Sequence, residues 1–216
     1  MPEYRQDFQQ ELDAIEARVI ELFGMLAEDL NRATDALLTG NNQVVKLLAE
    51  RDKTIEGLYP ELEALASRAI LMQAPVASDL RFLLTVLRIV PELERSHSLV
   101  EHVARRADHF LANELSPRAR GVAERMGALA ADMWRQAIDG WYRRDASVAD
   151  ALAERDEEMD ELYSSLIGEL ASGSMALPVA MEMTLVARFY ERLGDHAVNV
   201  ASRIIYLAGS QKPEEN

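Results

Sequence analysis

Acidic residues four positions apart are the side chains of this sequence best placed to do chemistry. Glu191 and Asp195 form one such pair within A-R-F-Y-E-R-L-G-D-H-A-V-N-V-A at 187–201. In a helix these side chains lie one turn apart on the same face, where two like charges are destabilising. A cation between them would remove that cost. Arg188 or Arg192 could supply it, and so could a metal ion.

The same acid-x-x-x-acid spacing occurs at Asp52 and Glu56 and at Asp156 and Asp160. Two helices that carry such pairs side by side would bring four carboxylates to one spot, and oxygen ligands of that kind suit Mg, Mn or Fe. The simpler alternative is a solvated surface. At about 100° per residue, Glu191 falls far from the apolar seam of its helix, which favours that alternative.

The composition favours a folded, all-helical protein. Of the 216 residues 49% are apolar, which is enough for a core, and strand-like alternation is scarce. The formal charge of −14 argues against sequence-independent binding to nucleic acid or anionic lipid, which needs clustered Lys and Arg. The lack of cysteine excludes disulfides and thiolate metal sites. We expect a soluble, cytoplasmic protein, because we find neither a signal peptide nor the roughly 20 apolar residues of a membrane span.

Apolar spacing predicts six long helices, separated by Gly, Pro, Asn and Ser. The fourth should begin with Ser116 as its N-cap and Pro117 in its first turn. The approximate ranges are 6–38, 43–72, 76–113, 117–144, 146–171 and 178–207, and the polar tail 210–216 is expected to fray.

The six predicted helices form two copies of a three-helix unit. The sequence L-A-E-R-D at 48–52 recurs letter for letter 104 positions later, at 152–156. Further on, E-R at 94–95 matches E-R at 191–192, which is 97 positions later and implies a two-turn deletion in between. The matches keep chain order and helical phase. We therefore predict a first unit at 1–113 and a second at 114–209, packed into one elongated bundle.

Three motifs resemble the PhoU family of phosphate-signalling regulators. They are P-V-A-S-D-L-R at 75–81, E-L-E-R at 92–95 and R-F-Y-E-R-L-G-D-H-A-V-N-V-A at 188–201. Together with the repeat, the resemblance covers nearly the whole chain. It implies an all-α, six-helix fold of two tandem three-helix bundles, often dimeric, whose acid-x-x-x-acid motifs hold multinuclear metal clusters on the bundle surface.

The resemblance also implies which residues would bind metal. In the second unit they are Asp156, Asp160, Glu191 and Asp195. In the first unit they are Asp52, Glu56 and Glu94, with Glu101 two turns beyond Glu94 as a partial substitute. The metal would be Fe, Mn, Mg, Zn or Ni.

The first unit departs from the family pattern. Where the family commonly has E-R-I-G-D, this chain has E-R-S-H-S at 94–98, so the Gly is missing and Ser98 replaces the Asp. We therefore expect a weaker or absent metal site in the first unit.

PhoU proteins are not known as enzymes, and the resemblance implies a homodimeric regulator of phosphate uptake. Such a protein would be a cytoplasmic adaptor between the ATPase subunit of a phosphate ABC transporter and a sensor histidine kinase. It would repress the starvation response when phosphate is plentiful. Two alternatives stay open. One is a di-iron-like carboxylate enzyme, although Glu94 and His97 form one E-x-x-H and the second that such enzymes need is missing. The other is a metal-free helical scaffold.

Overall fold

Six long α-helices, one short α-helix and one 3-10 helix make up the described residues of the structure. It is a computed structural model that describes residues 2–109 and 111–209 and the side chains of 5–107 and 111–209. The described residues contain no β-strand, so the predicted all-α class is confirmed. The predicted frayed tail at 210–216 lies outside the described residues. The helices are α1 (Pro2–Thr39), α2 (Asn42–Gln73), α3 (Ala77–Arg105), α4 (Leu111–Glu114), α5 (Pro117–Arg143), α6 (Val148–Ala171) and α7 (Leu177–Ala208).

Local sequence signals set several helix ends. Gly40 adopts a φ of 71°, the left-handed conformation that ends α1 at little cost for a glycine. Asn41 then caps α2, because its side chain accepts a hydrogen bond from the backbone N–H two residues further on. Ser116 caps α5 in the same way, its Oγ accepting from the Ala119 N–H at 3.1 Å with Pro117 in the first turn. The predicted Ser-Pro start is confirmed.

The predicted third helix is wrong at its C-terminal end, because α3 stops at Arg105. The next turn tightens into a 3-10 helix, Arg106–His109, which places Ala107 in a small apolar cluster with Ala36 of α1. In the same turn the Arg106 guanidinium lies 4.7 Å from the ring centroid of Phe189 in α7. These contacts join distant parts of the chain, so the local apolar spacing does not report them.

Four helices form the centre of the bundle. Helices α1 and α7 each pack against both α3 and α5. Helix α2 packs on α1 and α3, and α6 packs on α5 and α7, so each unit contributes one flanking helix. The predicted apolar seam of the last helix is confirmed, since its members are all buried: Val186, Tyr190, Leu193, Ala197, Val200, Ile204 and Leu207. Within the described part of the chain, no helix has an apolar stretch long enough to cross a bilayer.

A glycine allows α5 of the second unit to approach α1 of the first. A Cβ atom added at Gly127 would lie 3.0 Å from the Cβ of Thr34 and closer still to its Oγ1. Thr34 is held in place because its Oγ1 donates to the Leu30 carbonyl and accepts from the Tyr190 hydroxyl, both at 2.9 Å. A side chain at position 127 would therefore force α1 and α5 apart or break this buried hydrogen bond.

We expect Gly127→Ala to lower the free energy of unfolding by about 1–3 kcal/mol, because the added methyl group overpacks the α1–α5 contact. Gly121→Ala in the same helix is the matched control. Its added Cβ would meet no described atom within 4 Å. It should be neutral or stabilise the protein by up to about 1 kcal/mol, since alanine favours helix more than glycine. Urea unfolding measures the free energy of unfolding of both variants. Equal changes would contradict the steric role given to Gly127.

Candidate metal centre

The four predicted acidic residues of the second unit lie together where α6 packs on α7. The pKa of Asp156 is raised to about 6, first by burial and then by the negative charges of Asp195 and Asp160. Burial also raises the pKa of Glu191, and the charges of Asp195 and Asp160 add to that effect. The structure thus brings the four side chains together, while metal binding by them stays a prediction.

Glu191 does not lie on a solvated face, contrary to the simpler alternative. Its side chain is 14% exposed, and Arg188 contacts one of its oxygens, Oε1. Arg192, the other cation suggested by the sequence, is exposed. Oε2 of Glu191 and Oδ1 of Asp156 are buried and have no hydrogen-bond partner among the described residues. Because an unpaired buried carboxylate oxygen is costly, this spot offers two acceptor atoms to a cation or a donor.

Gly194 keeps the space beside the buried oxygen of Asp156 open. A Cβ atom added at Gly194 would lie 3.0 Å from Oδ1 of Asp156 and 3.5 Å from Cε of Met133. Such a contact is too close for most real Cβ atoms, so a side chain here would push Asp156 away from α7. The glycine of the E-R-L-G-D motif therefore has a steric role: it lets a carboxylate of α6 reach the backbone of α7.

As the side chains stand, the described His, Asp and Glu residues form no group of three or more that could hold a metal ion. Glu191 is turned towards Arg188, and Asp195 is exposed. Oε2 of Glu191 could bind a cation while Oε1 stays with Arg188, but Asp195 would have to turn inwards. The donor set is all oxygen and includes two unpaired buried atoms, so its chemistry fits a hard or borderline cation such as Mg, Mn or Fe.

The first unit brings together only part of its predicted set. The pKa of Asp52 is raised to about 6 by burial, by the charge of Glu101 and then by that of Glu56. Glu101 also pairs with Arg105. Glu94 is exposed, and its backbone carbonyl accepts a hydrogen bond from Ser98 Oγ at 3.2 Å. Asp52, Glu56 and Glu101 are thus electrostatic neighbours, whereas Ser98 provides no carboxylate.

Sequence reasoning did not single out Asp29 as a site residue. Its side chain lies 3.1 Å from Arg51 (Oδ1 to Nη1), and the residue is 4% exposed. Burial raises the pKa of Asp29 to about 6, although the charge of Arg51 opposes the shift. The signal was present in the sequence, because Asp29 falls four positions after Met25 and four before Ala33 on the inward stripe of α1.

His97, the histidine of the single E-x-x-H, is buried and neutral. It is 4% exposed, and burial lowers its pKa to about 4. Its Nδ1 shares a hydrogen bond with the Tyr59 hydroxyl. Its Nε2 is buried and has no hydrogen-bond partner within the described chain.

Comparison with known proteins identifies the family. The model described as the PhoU domain matches this chain twice, at residues 19–107 and 123–204. The chain belongs to the PhoU family. A phosphate-specific transport system accessory protein PhoU homolog from Zymomonas mobilis is 32% identical over 96% of this chain and 89% of its own length. The homolog from Pseudomonas aeruginosa is 30% identical over 94% of this chain and 85% of its own length. The crystal structure of PhoU from Pseudomonas aeruginosa aligns with a TM-score of 0.86 at 28% identity, covering 93% of this chain and 98% of that one.

Each PhoU domain of the chain contains one of the two acidic sites. The match at 19–107 includes Asp52 and Glu101, and the match at 123–204 includes Asp156 and Asp195. The predicted unit boundaries at 113 and 209 stay predictions. The two sites are not equal, since only the second domain keeps the full E-R-x-G-D motif.

We expect Asp156→Asn to make the metal-free protein more stable at pH 7 by about 1 kcal/mol, a value reduced for screening because the side chain is half-buried. Folded Asp156 keeps its proton up to about pH 6, whereas the unfolded chain releases it near 3.8. Between these values the folded state binds more protons, so this carboxylate makes stability fall as the pH rises. Asparagine removes that dependence.

Urea unfolding in chelator at pH 4, 5.5 and 7 measures the effect. The gain should be absent at pH 4 and largest at pH 7. Asp35→Asn, at an exposed position of α1, is the control and should show no such trend. A variant less stable than the parent at pH 7 would show that Asp156 does not carry this penalty.

Proposed function

We propose that this protein is a regulator of phosphate uptake and of phosphate-starvation signalling. The observation that carries the proposal is the double PhoU-domain match, together with relatives of nearly the same length that are named accessory proteins of the phosphate-specific transport system. Those relatives are named for an accessory role rather than a reaction. We accordingly propose a protein that acts by binding partners and not as an enzyme.

The proposed partners are the ATPase subunit of a phosphate ABC transporter and the sensor histidine kinase of the phosphate response. We propose that the protein is a cytoplasmic homodimer that reaches the inner face of the membrane through its partners. It represses the starvation response when phosphate is plentiful. The formal charge of −14 suits contact with basic protein surfaces.

We further propose that the second unit binds metal through Asp156, Asp160, Glu191 and Asp195. The support is the pair of buried, unpaired oxygens on Asp156 and Glu191, and the pKa values of these two residues, which are raised first by burial and then by the charges of Asp195 and Asp160. A bound cation would supply positive charge between α6 and α7. Glu191 and Asp195 would hold it from α7, and Asp156 and Asp160 from α6, so binding would fasten the flanking helix to the core.

The partner proposal predicts capture of the transporter ATPase subunit or the sensor kinase when tagged protein is purified from its native host. Cells grown with abundant phosphate and cells starved of it are compared by mass spectrometry. We expect recovery that changes with phosphate, because an adaptor reports the state of the transporter to the kinase. Recovery of neither partner under either condition, with folded bait, would refute the adaptor role.

The metal proposal predicts that protein purified without added metal loses most of its bound metal when Asp156, Asp160 and Asp195 are changed to alanine. Removing three of four oxygen donors leaves too few ligands for a hard cation. Glu56→Gln with Glu94→Gln is the control, because both carboxylates are exposed and belong to the first unit. Elemental analysis measures each protein. Equal losses in both would show that the second unit is not the main site.

A further inference from the structure

The interior positions next to the two acidic sites differ between the units. By the repeat spacings of 97 and 104, Gly194 of α7 corresponds to His97 of α3, and Met133 of α5 to Asp29 of α1. Gly194 lies beside the buried carboxylate oxygen of Asp156, and the side chain of Met133 lies next to the same glycine. At the equivalent positions the first unit has an imidazole and a carboxylate, both of which can bind a metal.

A small pocket of the first unit collects these two residues with two further acids. Its volume is about 10 Å³. That is room for roughly one water-sized atom, so a single ion fits and a multinuclear cluster does not. The lining residues are Asp29, Leu48, Asp52, His97, Val100 and Glu101.

The His97 ring has one nitrogen engaged and one unengaged. Nδ1 is hydrogen-bonded to the Tyr59 hydroxyl, and Nε2 is buried without a hydrogen-bond partner among the described residues. Metal-binding histidines usually donate from their second nitrogen to an oxygen, which fixes the ring and leaves a lone pair for the metal. In His97 this is the tautomer in which Nδ1–H donates to the Tyr59 hydroxyl oxygen.

Arginines hold two of the pocket carboxylates in the described structure. Arg51 Nη1 lies 3.1 Å from Asp29 Oδ1 and 3.0 Å from Glu28 Oε2, so it keeps one partner if it leaves Asp29. Arg105 pairs with Glu101 on the outer side. These arginine pairs keep the carboxylates from surrounding a common point in the described structure. A divalent cation in the pocket would replace the positive charges of the two arginines.

We propose that the first unit binds a single divalent transition-metal ion in this pocket, through His97 Nε2 and the carboxylates of Asp29 and Asp52. Glu101 can join after leaving Arg105. One nitrogen ligand with carboxylate oxygens favours Co, Ni, Zn or Fe over Mg, which takes oxygen ligands. The site lies deeper in the bundle than the surface position where Ser98 replaces the family's Asp. It depends neither on the phosphate role nor on metal in the second unit.

The test uses the full chain with Asp156, Asp160 and Asp195 changed to alanine, which disables the second unit. After chelator treatment and dialysis, Co²⁺ is titrated in, and binding is followed by visible absorption and elemental analysis. We expect one Co²⁺ per chain, with an absorption band of mixed nitrogen and oxygen ligation, that excess Mg²⁺ does not displace.

His97→Gln and Asp52→Asn in that background should abolish Co²⁺ binding, because each removes a ligand. Tyr59→Phe should weaken it about 10–100-fold by releasing the histidine ring. Glu50→Gln, an exposed acid on the same helix as Asp52 that belongs to neither predicted metal site, is the matched control and should bind like the parent. If circular dichroism shows that His97→Gln does not fold, the Co²⁺ binding of Asp52→Asn, a change at a half-buried position, tests the proposal.

Two results would overturn the proposal. One is a folded parent that retains no Co²⁺ after dialysis, in which case a water molecule or Arg51 alone serves the pocket. The other is Co²⁺ bound equally by the Glu50→Gln control and by Asp52→Asn or His97→Gln.

Discussion

Half-buried carboxylates between a flanking helix and the central helices are the constraint on which both sites depend. Burial removes hydration that a carboxylate needs, and neighbouring acids add repulsion, so the charged form is disfavoured. Asp156 between α6 and α7 and Asp52 on α2 both show the result, with their pKa values raised to about 6. A bundle can keep such groups only because its centre is well packed, with Trp134, Trp141 and Phe23 fully buried.

The two units meet this constraint with different neighbours. In the second, Gly194 leaves room for the unpaired oxygen of Asp156 at the backbone of α7, and the side chain of Met133 lies next to the same glycine. In the first, His97 fills the equivalent room, and Asp29 adds a second buried acid that Arg51 neutralises. Repeats that share a backbone can therefore diverge at two or three interior positions into sites of different ligand chemistry.

The fold was largely predictable from the sequence because its signals are local. The cap at Ser116, the turn at Gly40 and the seam through Tyr190 each follow from a few neighbouring residues. The early end of α3 at Arg105 was not predictable, because it depends on where Ala107 packs.

The site was predictable only in part, for the same reason. The acid-x-x-x-acid spacing pointed to the four carboxylates of the second unit, which do lie together. Helical geometry alone placed Glu191 on a solvated face, whereas its side chain is 14% exposed in a bundle where α6 packs against α7. Asp29 belongs to no acidic pair of that spacing, and only the packing of α2 and α3 on α1 brings it to His97.

A buried side-chain hydrogen bond joins α3 and α7 next to residues of the two sites. Ser96 Oγ and His196 Nδ1 are 2.9 Å apart, and these residues adjoin His97 and Asp195 in the chain. Because Ser96 donates its only hydroxyl proton to the Glu92 carbonyl at 2.7 Å, His196 Nδ1 must be the donor to Ser96. A small shift of either helix turn would break this bond. Helix α2 packs on α1, α3 and the 3-10 helix of the first unit, and α6 packs on α5 and α7 of the second. These two flanking helices are therefore the elements that cation binding can move with the least disturbance of the contact between units.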